Sequence, residues 1–140
     1  MKKLIILAFV FLNLGVYAQT VEKNLTYYYY YANQDKYFKD YLNARKLFDA
    51  KKNDFSLPTS KDAIKELEEN QKKVFRNANT YAQFLNKYGM KNAGEYAELW
   101  FKQMETLKIF IKKNPEFYKL TPKERQSIID KWYYSSSAAK

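Results

Sequence analysis

Between Ile64 and Tyr88, the side chains of Ile64, Leu67, Gln71, Val74, Ala78, Tyr81, Leu85 and Tyr88 recur at alternating steps of three and four. That spacing gathers them on one face of an α-helix and asks for an apolar partner along its length. Thr59 or Ser60 can cap the start, Asp62 sits favourably in the first turn, and Gly89 suits a left-handed C-terminal residue. Read as one element, residues 60–88 predict a rod of 29 residues, about 43 Å long. A rod of that length cannot be buried in a small ball of helices, so the sequence predicts an elongated bundle.

The partner follows at once. Asn92 with Glu95 resembles a capping box, and Ala93, Ala97, Trp100, Met104, Leu107 and Ile111 repeat the same spacing. The short turn through Tyr88, Gly89, Met90 and Lys91 favours an antiparallel hairpin. Lys112 and Lys113 close this helix before Asn114 and Pro115, where their charge complements the negative helix end.

Two further helices flank the hairpin. In residues 35–52, Tyr37, Tyr41, Ala44 and Phe48 recur on one face, with Phe38 and Leu42 beside them. Phe55 and Leu57 are placed to plug the core edge, and Pro58 ends any helix before it. After a single turn over residues 115–119, Thr121, Pro122 and Glu124 combine an N-cap, a first-turn proline and a third-position carboxylate. Ile128, Ile129 and Trp132 form the apolar face of that last helix, which fades near Tyr134. With no convincing strand, the expectation is an all-α fold, an elongated antiparallel helical bundle of about four helices with a long central helical hairpin.

The two ends read differently. Lys2 and Lys3 precede an apolar run from Leu4 to Leu14, and Val16 and Ala18 place short side chains before a cleavage between Ala18 and Gln19. Residues 1–18 are therefore expected to be a signal peptide, too short for a membrane span of roughly 20 residues. Processing leaves 122 residues with a formal charge of +8, exported to the periplasm or beyond, with no transmembrane span. Residues 19–34 read as a tyrosine-rich arm. Tyr27, Tyr28, Tyr29, Tyr30 and Tyr31 turn rings to every side of a helix and both faces of a strand, so the arm is expected to be partly ordered, or an aromatic contact surface. Residues 35–134 form the helical domain, and residues 135–140 a frayed tail.

Composition narrows the chemistry. The chain has no His and no Cys, which removes histidine acid–base chemistry, thiol nucleophiles, disulfides and Cys/His metal sites. Its glycines, at 15, 89 and 94, are too scattered for a phosphate-binding loop. Glu95 with Glu98, or Glu98 with Glu105, are the carboxylates that spacing offers as an acid–base pair, and Asp62, Glu66 and Glu69 the ones that offer oxygens to a hard cation. Capping and pairing with lysines on the same helices account for them more simply, so neither an enzyme, a cofactor nor a metal is expected. Asn24, Leu25 and Thr26 match a glycosylation pattern short enough to arise by chance.

The basic balance remains as the functional hint, although amino acids with A/T-rich codons make up much of the chain and discount it. Residues 100–140 carry a local +5, interleaved with Trp100, Phe117, Tyr118, Trp132, Tyr133 and Tyr134. Lys112, Lys113, Lys119, Lys123 and Arg125 are the candidate surface for an anionic envelope component, a lipid headgroup or polysaccharide, or for a protein. Only three basic residues are Arg, which disfavours nucleic acid. The alternative is a periplasmic carrier holding a small apolar ligand among Tyr81, Phe84, Trp100 and Met104 in the bundle interior.

Overall fold

The computed structural model describes residues 22–135. The expected leader, with its cleavage at Ala18 and Gln19, lies outside the described residues, as do residues 136–140 of the expected tail. Among the described residues the fold is all-α: α1 (Leu25–Tyr31), α2 (Lys36–Lys51), α3 (Lys61–Val74), α4 (Ala78–Lys87), α5 (Ala93–Lys113), α6 (Pro115–Lys119) and α7 (Pro122–Ser135). Single 3-10 turns, Ala32–Gln34 and Lys52–Asp54, follow α1 and α2.

Local chemistry sets most boundaries. The Asp35 carboxylate accepts from the backbone N–H groups of Tyr37 at 2.7 Å and Phe38 at 3.2 Å, capping α2. Ser60 Oγ accepts from the Ala63 N–H to start α3. At the end of α4, Gly89 takes φ +82°, its N–H bonds to the Asn86 carbonyl, and the Met90 N–H reaches the Leu85 carbonyl. This pair of bonds is a Schellman motif, completed by burial of Met90 and Leu85. Thr121 and Glu124 cap each other reciprocally at the start of α7, and the Thr121 backbone N–H holds the Glu124 carboxyl below its usual range.

The expected 43 Å rod is two helices. Asn70 departs from helical geometry (φ −122°, ψ 22°) while its side-chain amide donates to the Glu66 carbonyl. The chain then turns at Phe75 and Arg76 before α4 begins. Asn77 Oδ1 accepts from the Thr80 N–H at 2.9 Å, and Thr80 Oγ1 accepts from the Asn77 N–H at 3.1 Å, a capping box with Thr in place of Glu. What the break gains is Phe75, whose ring stacks on Trp100 at 5.2 Å and meets Tyr81 at 4.8 Å. Ile64, on the expected seam, is 48% exposed instead, and Ala63 and Val74 are the buried residues of α3.

The pairing also differs from the expected hairpin. α4 and α5 do pack as neighbours, through Tyr81 against Tyr96, Trp100 and Phe101. Yet α5 is long enough to run beside α2 as well, in the opposite sense. Phe38 near the start of α2 meets Phe110 near the end of α5, and Phe48 near the end of α2 meets Tyr96 near the start of α5. Two apolar clusters result. One joins α3, α4 and the first half of α5 through Tyr81, Leu85, Met90 and Ala97. The other joins α1, α2, α6, α7 and the second half of α5 through Tyr28, Phe38, Phe110, Phe117 and Ile128.

The tyrosine arm is part of this second cluster. Asn24 Oδ1 caps α1 by accepting from the Tyr27 N–H, so the asparagine of the glycosylation pattern is engaged in a helix start. The Tyr28 ring is 1% exposed, edge-on to Phe117 at 5.2 Å. Lys131 Nζ donates to the Tyr29 carbonyl at 2.7 Å, and Trp132 Nε1 to the Tyr28 carbonyl at 3.4 Å, so α7 satisfies the carbonyl end of α1. Buried Asn114 completes the join: its side chain accepts from Lys23 Nζ at 3.0 Å and donates to the Asp35 carboxylate at 2.9 Å.

Candidate functional site

The basic residues singled out in the C-terminal third divide into two kinds. Lys112 and Lys113 at the end of α5, Lys119 at the end of α6 and Lys123 at the start of α7 are all exposed. The Lys113 ammonium lies 5.8 Å from the centre of the Tyr37 ring. Arg125 is half-buried. Its Nη1 donates to the Tyr118 carbonyl at 2.7 Å and to the Leu120 carbonyl at 2.8 Å, and the guanidinium sits over the Tyr118 ring at 5.1 Å. A cation here meets carbonyls that the short α6 leaves without helical partners, so one face of Arg125 is structural.

The rest of Arg125 borders a groove of about 310 Å³ between α2, α5, α6 and α7. Leu107, Ile111, Phe117 and Ile129 supply apolar walls. Tyr41, Arg45, Arg125 and Gln126 supply polar ones, with Tyr118 and Pro122 at the α6–α7 turn. Arg45 Nη1 donates to the Tyr41 hydroxyl at 3.3 Å, and its Nε lies 3.7 Å from the Asp49 carboxylate. Two of the three arginines of the chain thus meet in one groove, although 80 positions separate them. A groove of this kind can hold an apolar body whose end is negative. Of the residues at this groove, the basic balance of the C-terminal third marks Arg125 alone; Arg45, Tyr41, Leu107 and Gln126 carry no local mark of a site.

The aromatic run divides as well. Tyr28 is inside the core and unavailable as a contact residue, which corrects that part of the expectation. Tyr29, Tyr30 and Tyr31 are 38%, 58% and 48% exposed, and Tyr27 is half-buried against Tyr31 at 5.5 Å. Lys131 sits among them, its ammonium 3.8 Å from the Tyr29 ring centre and 4.5 Å from that of Tyr30. This ledge of rings around a cation lies where α1 docks on α7.

The carboxylates are placed as follows. Asn92 adopts a left-handed conformation (φ 56°) and makes no side-chain cap, so the expected Asn92–Glu95 capping box does not form. Glu95 instead pairs with Lys51 of α2. Glu98 and Glu105 border a shallow groove of about 240 Å³ that also holds Arg76 and Lys102. Glu66 pairs with Lys87 and accepts from the Tyr88 hydroxyl, which together hold its carboxyl below the usual range, and Glu69 lies 4.0 Å from Lys65.

The four residues proposed to line an interior space lie as follows among the described residues. Tyr81 and Trp100 pack edge to face at 5.4 Å, Phe84 lies against Tyr88 at 5.2 Å, and Met104 is 42% exposed on the outer side of α5. No helix among the described residues is long and apolar enough to cross a membrane. Set against known proteins, the chain matches no family model, no curated sequence and no solved structure.

Proposed function

We propose that this protein is exported and works by binding rather than by turnover, holding an anionic partner of the cell envelope against the basic surface of its C-terminal third. One observation carries the reading. Arg125 joins Arg45 at a groove with apolar walls, while Lys112, Lys113, Lys119 and Lys123 remain exposed on the helices that build it. Lysines free in solvent contribute little to folding, so their service is to the field outside the molecule. The absence of His and Cys from the sequence argues in the same direction, away from turnover.

The reading is tested with the Lys112→Gln, Lys113→Gln, Lys119→Gln, Lys123→Gln variant and vesicles containing phosphatidylglycerol. A lysine near an anionic membrane surface contributes on the order of 1 kcal/mol, so the fourfold variant is expected to bind at least roughly tenfold more weakly. Its helix content should match the parent and its thermal midpoint should fall by no more than a few degrees, since each substituted side chain is exposed and only the helix-end charges of Lys112 and Lys113 are lost. Sedimentation that does not distinguish the variant from the parent would remove this surface from the account.

A further inference from the structure

We propose that the groove between α2, α5, α6 and α7 is a site for a single-chain anionic amphiphile, its alkyl chain on the apolar walls and its carboxylate against Arg125. The proposal deepens the anion-binding reading above and rests on it for the choice of charge.

The dimensions favour a small ligand over a macromolecular segment. A space of about 310 Å³ equals that of roughly ten waters, room for an alkyl chain on the order of ten carbons. The partly exposed Leu107 and Ile111 of α5, with the edges of the buried Phe117 and Ile129, give that chain a surface with no hydrogen-bonding side chain. A compact polar anion such as free phosphate leaves these walls wetted, so it gains nothing from them.

Charge fixes the other end. Arg45 is partly neutralised by Asp49 at 3.7 Å and by the field of Asp130, whose carboxylate accepts from Gln126 Nε2 at 2.6 Å. Arg125 differs: the groups its Nη1 meets are neutral carbonyls, and among the described residues no carboxylate forms an ion pair with it. Among the described residues its positive charge thus has no ion-pair partner beside the apolar walls of the groove. The two carbonyls bind only Nη1 and hold the guanidinium in place, leaving the Nε and Nη2 hydrogens in the fork geometry that a carboxylate accepts.

The test titrates the protein lacking residues 1–18 with decanoate, below its micelle concentration, by calorimetry. Decyltrimethylammonium serves as the same chain with the opposite charge. Arg125→Gln removes the cation but also uncaps α6, so Gln126→Glu is the informative variant: it sets a negative charge on the groove wall at an exposed helical position, and because it also loses the bond to Asp130 its thermal midpoint is measured beside its affinity. Decanoate is expected to bind at one site, at least about tenfold more tightly than the cation, and about tenfold more weakly to Gln126→Glu. The fourfold lysine variant should keep its decanoate affinity while losing vesicles. Equal binding of the two amphiphiles, or no decanoate binding by protein that still sediments with anionic vesicles, overturns the groove and leaves the surface reading intact. Decanoate binding with lysine-independent vesicle sedimentation overturns the surface reading instead.

Discussion

Phe110→Ala is expected to lower the unfolding free energy by about 3 to 5 kcal/mol, the largest loss of any single truncation considered for this chain. Phe110 is fully buried, and its ring meets Phe117 at 4.9 Å, Phe38 at 5.1 Å and Tyr28 at 6.4 Å. These neighbours belong to α6, α2 and α1, so the ring is the point at which three helices meet α5. Removing it forfeits the transfer energy of an aromatic side chain and leaves a space that four helices can close only by moving together. With no disulfide to hold the chain and domain stabilities of roughly 5 to 15 kcal/mol, most of the margin is at stake. The adjacent Ile109 is 46% exposed, and Ile109→Ala is expected to change stability by no more than about 0.5 kcal/mol. Urea unfolding of both proteins, followed by helix signal, checks the contrast. A Phe110→Ala loss below about 1 kcal/mol would mean that the second cluster is not the principal core.

Alkaline unfolding is the second large effect, and it comes from tyrosines. Burial, with a contribution from the nearby Glu116 carboxylate, pushes the Tyr28 hydroxyl up to about 12. Burial also raises Tyr81, whose hydroxyl is bonded to Tyr96, and raises Tyr96 itself. A phenol whose folded pKa lies above its unfolded value of about 10 binds more protons in the folded state through that interval. Its stabilising contribution is therefore complete below pH 10 and is lost as pH rises toward 12. For Tyr28 alone the two-unit difference corresponds to about 2 to 3 kcal/mol. Tyrosinate absorbance should rise in more than one stage, the last of them, from the buried rings, together with loss of helix. Tyr28→Phe should move the last stage to higher pH. The Tyr28 hydroxyl is buried, with only the Phe117 backbone near it and no full hydrogen bond among the described residues, so its removal should leave stability at neutral pH unchanged or raise it by up to about 1 kcal/mol. A single ionisation near pH 10 with helix intact would contradict the buried placement.

Features set by contiguous residues were legible in the sequence. Asp35, Gly89 and the Thr121–Glu124 pair mark helix ends by chemistry that acts within three or four positions, and the structure places ends at each of them. The three-and-four spacing named the helical class correctly. It overextended the central helix because a seam can continue in sequence across a turn that interrupts the backbone. The available warning was Asn77 with Thr80, which makes the same reciprocal bonds as a Ser–Glu box.

Other features depended on distant partners. Tyr28 is inside because Phe110, Phe117 and Ile128 leave a place for one ring, and nothing within the tyrosine run distinguishes it from its neighbours. Asn92 gave the composition of a cap but a left-handed backbone, and Glu95 found Lys51 across the α2–α5 contact. The groove was the least legible. Its walls come from four helices, and what sets Arg125 apart from the exposed lysines of the C-terminal third is its place beside Arg45 at those walls, a property of the folded chain alone.

The proposed working surface lies at one end of the second cluster, and nitrogen–proton correlation spectra test that proposal most directly. The protein lacking residues 1–18 is titrated with soluble short-chain phosphatidylglycerol. Amide shifts are expected to concentrate between residues 107 and 131 and at Tyr41 and Arg45, and to fade as salt is raised. Shifts centred on α3 and α4, or spread evenly over the chain, would contradict it.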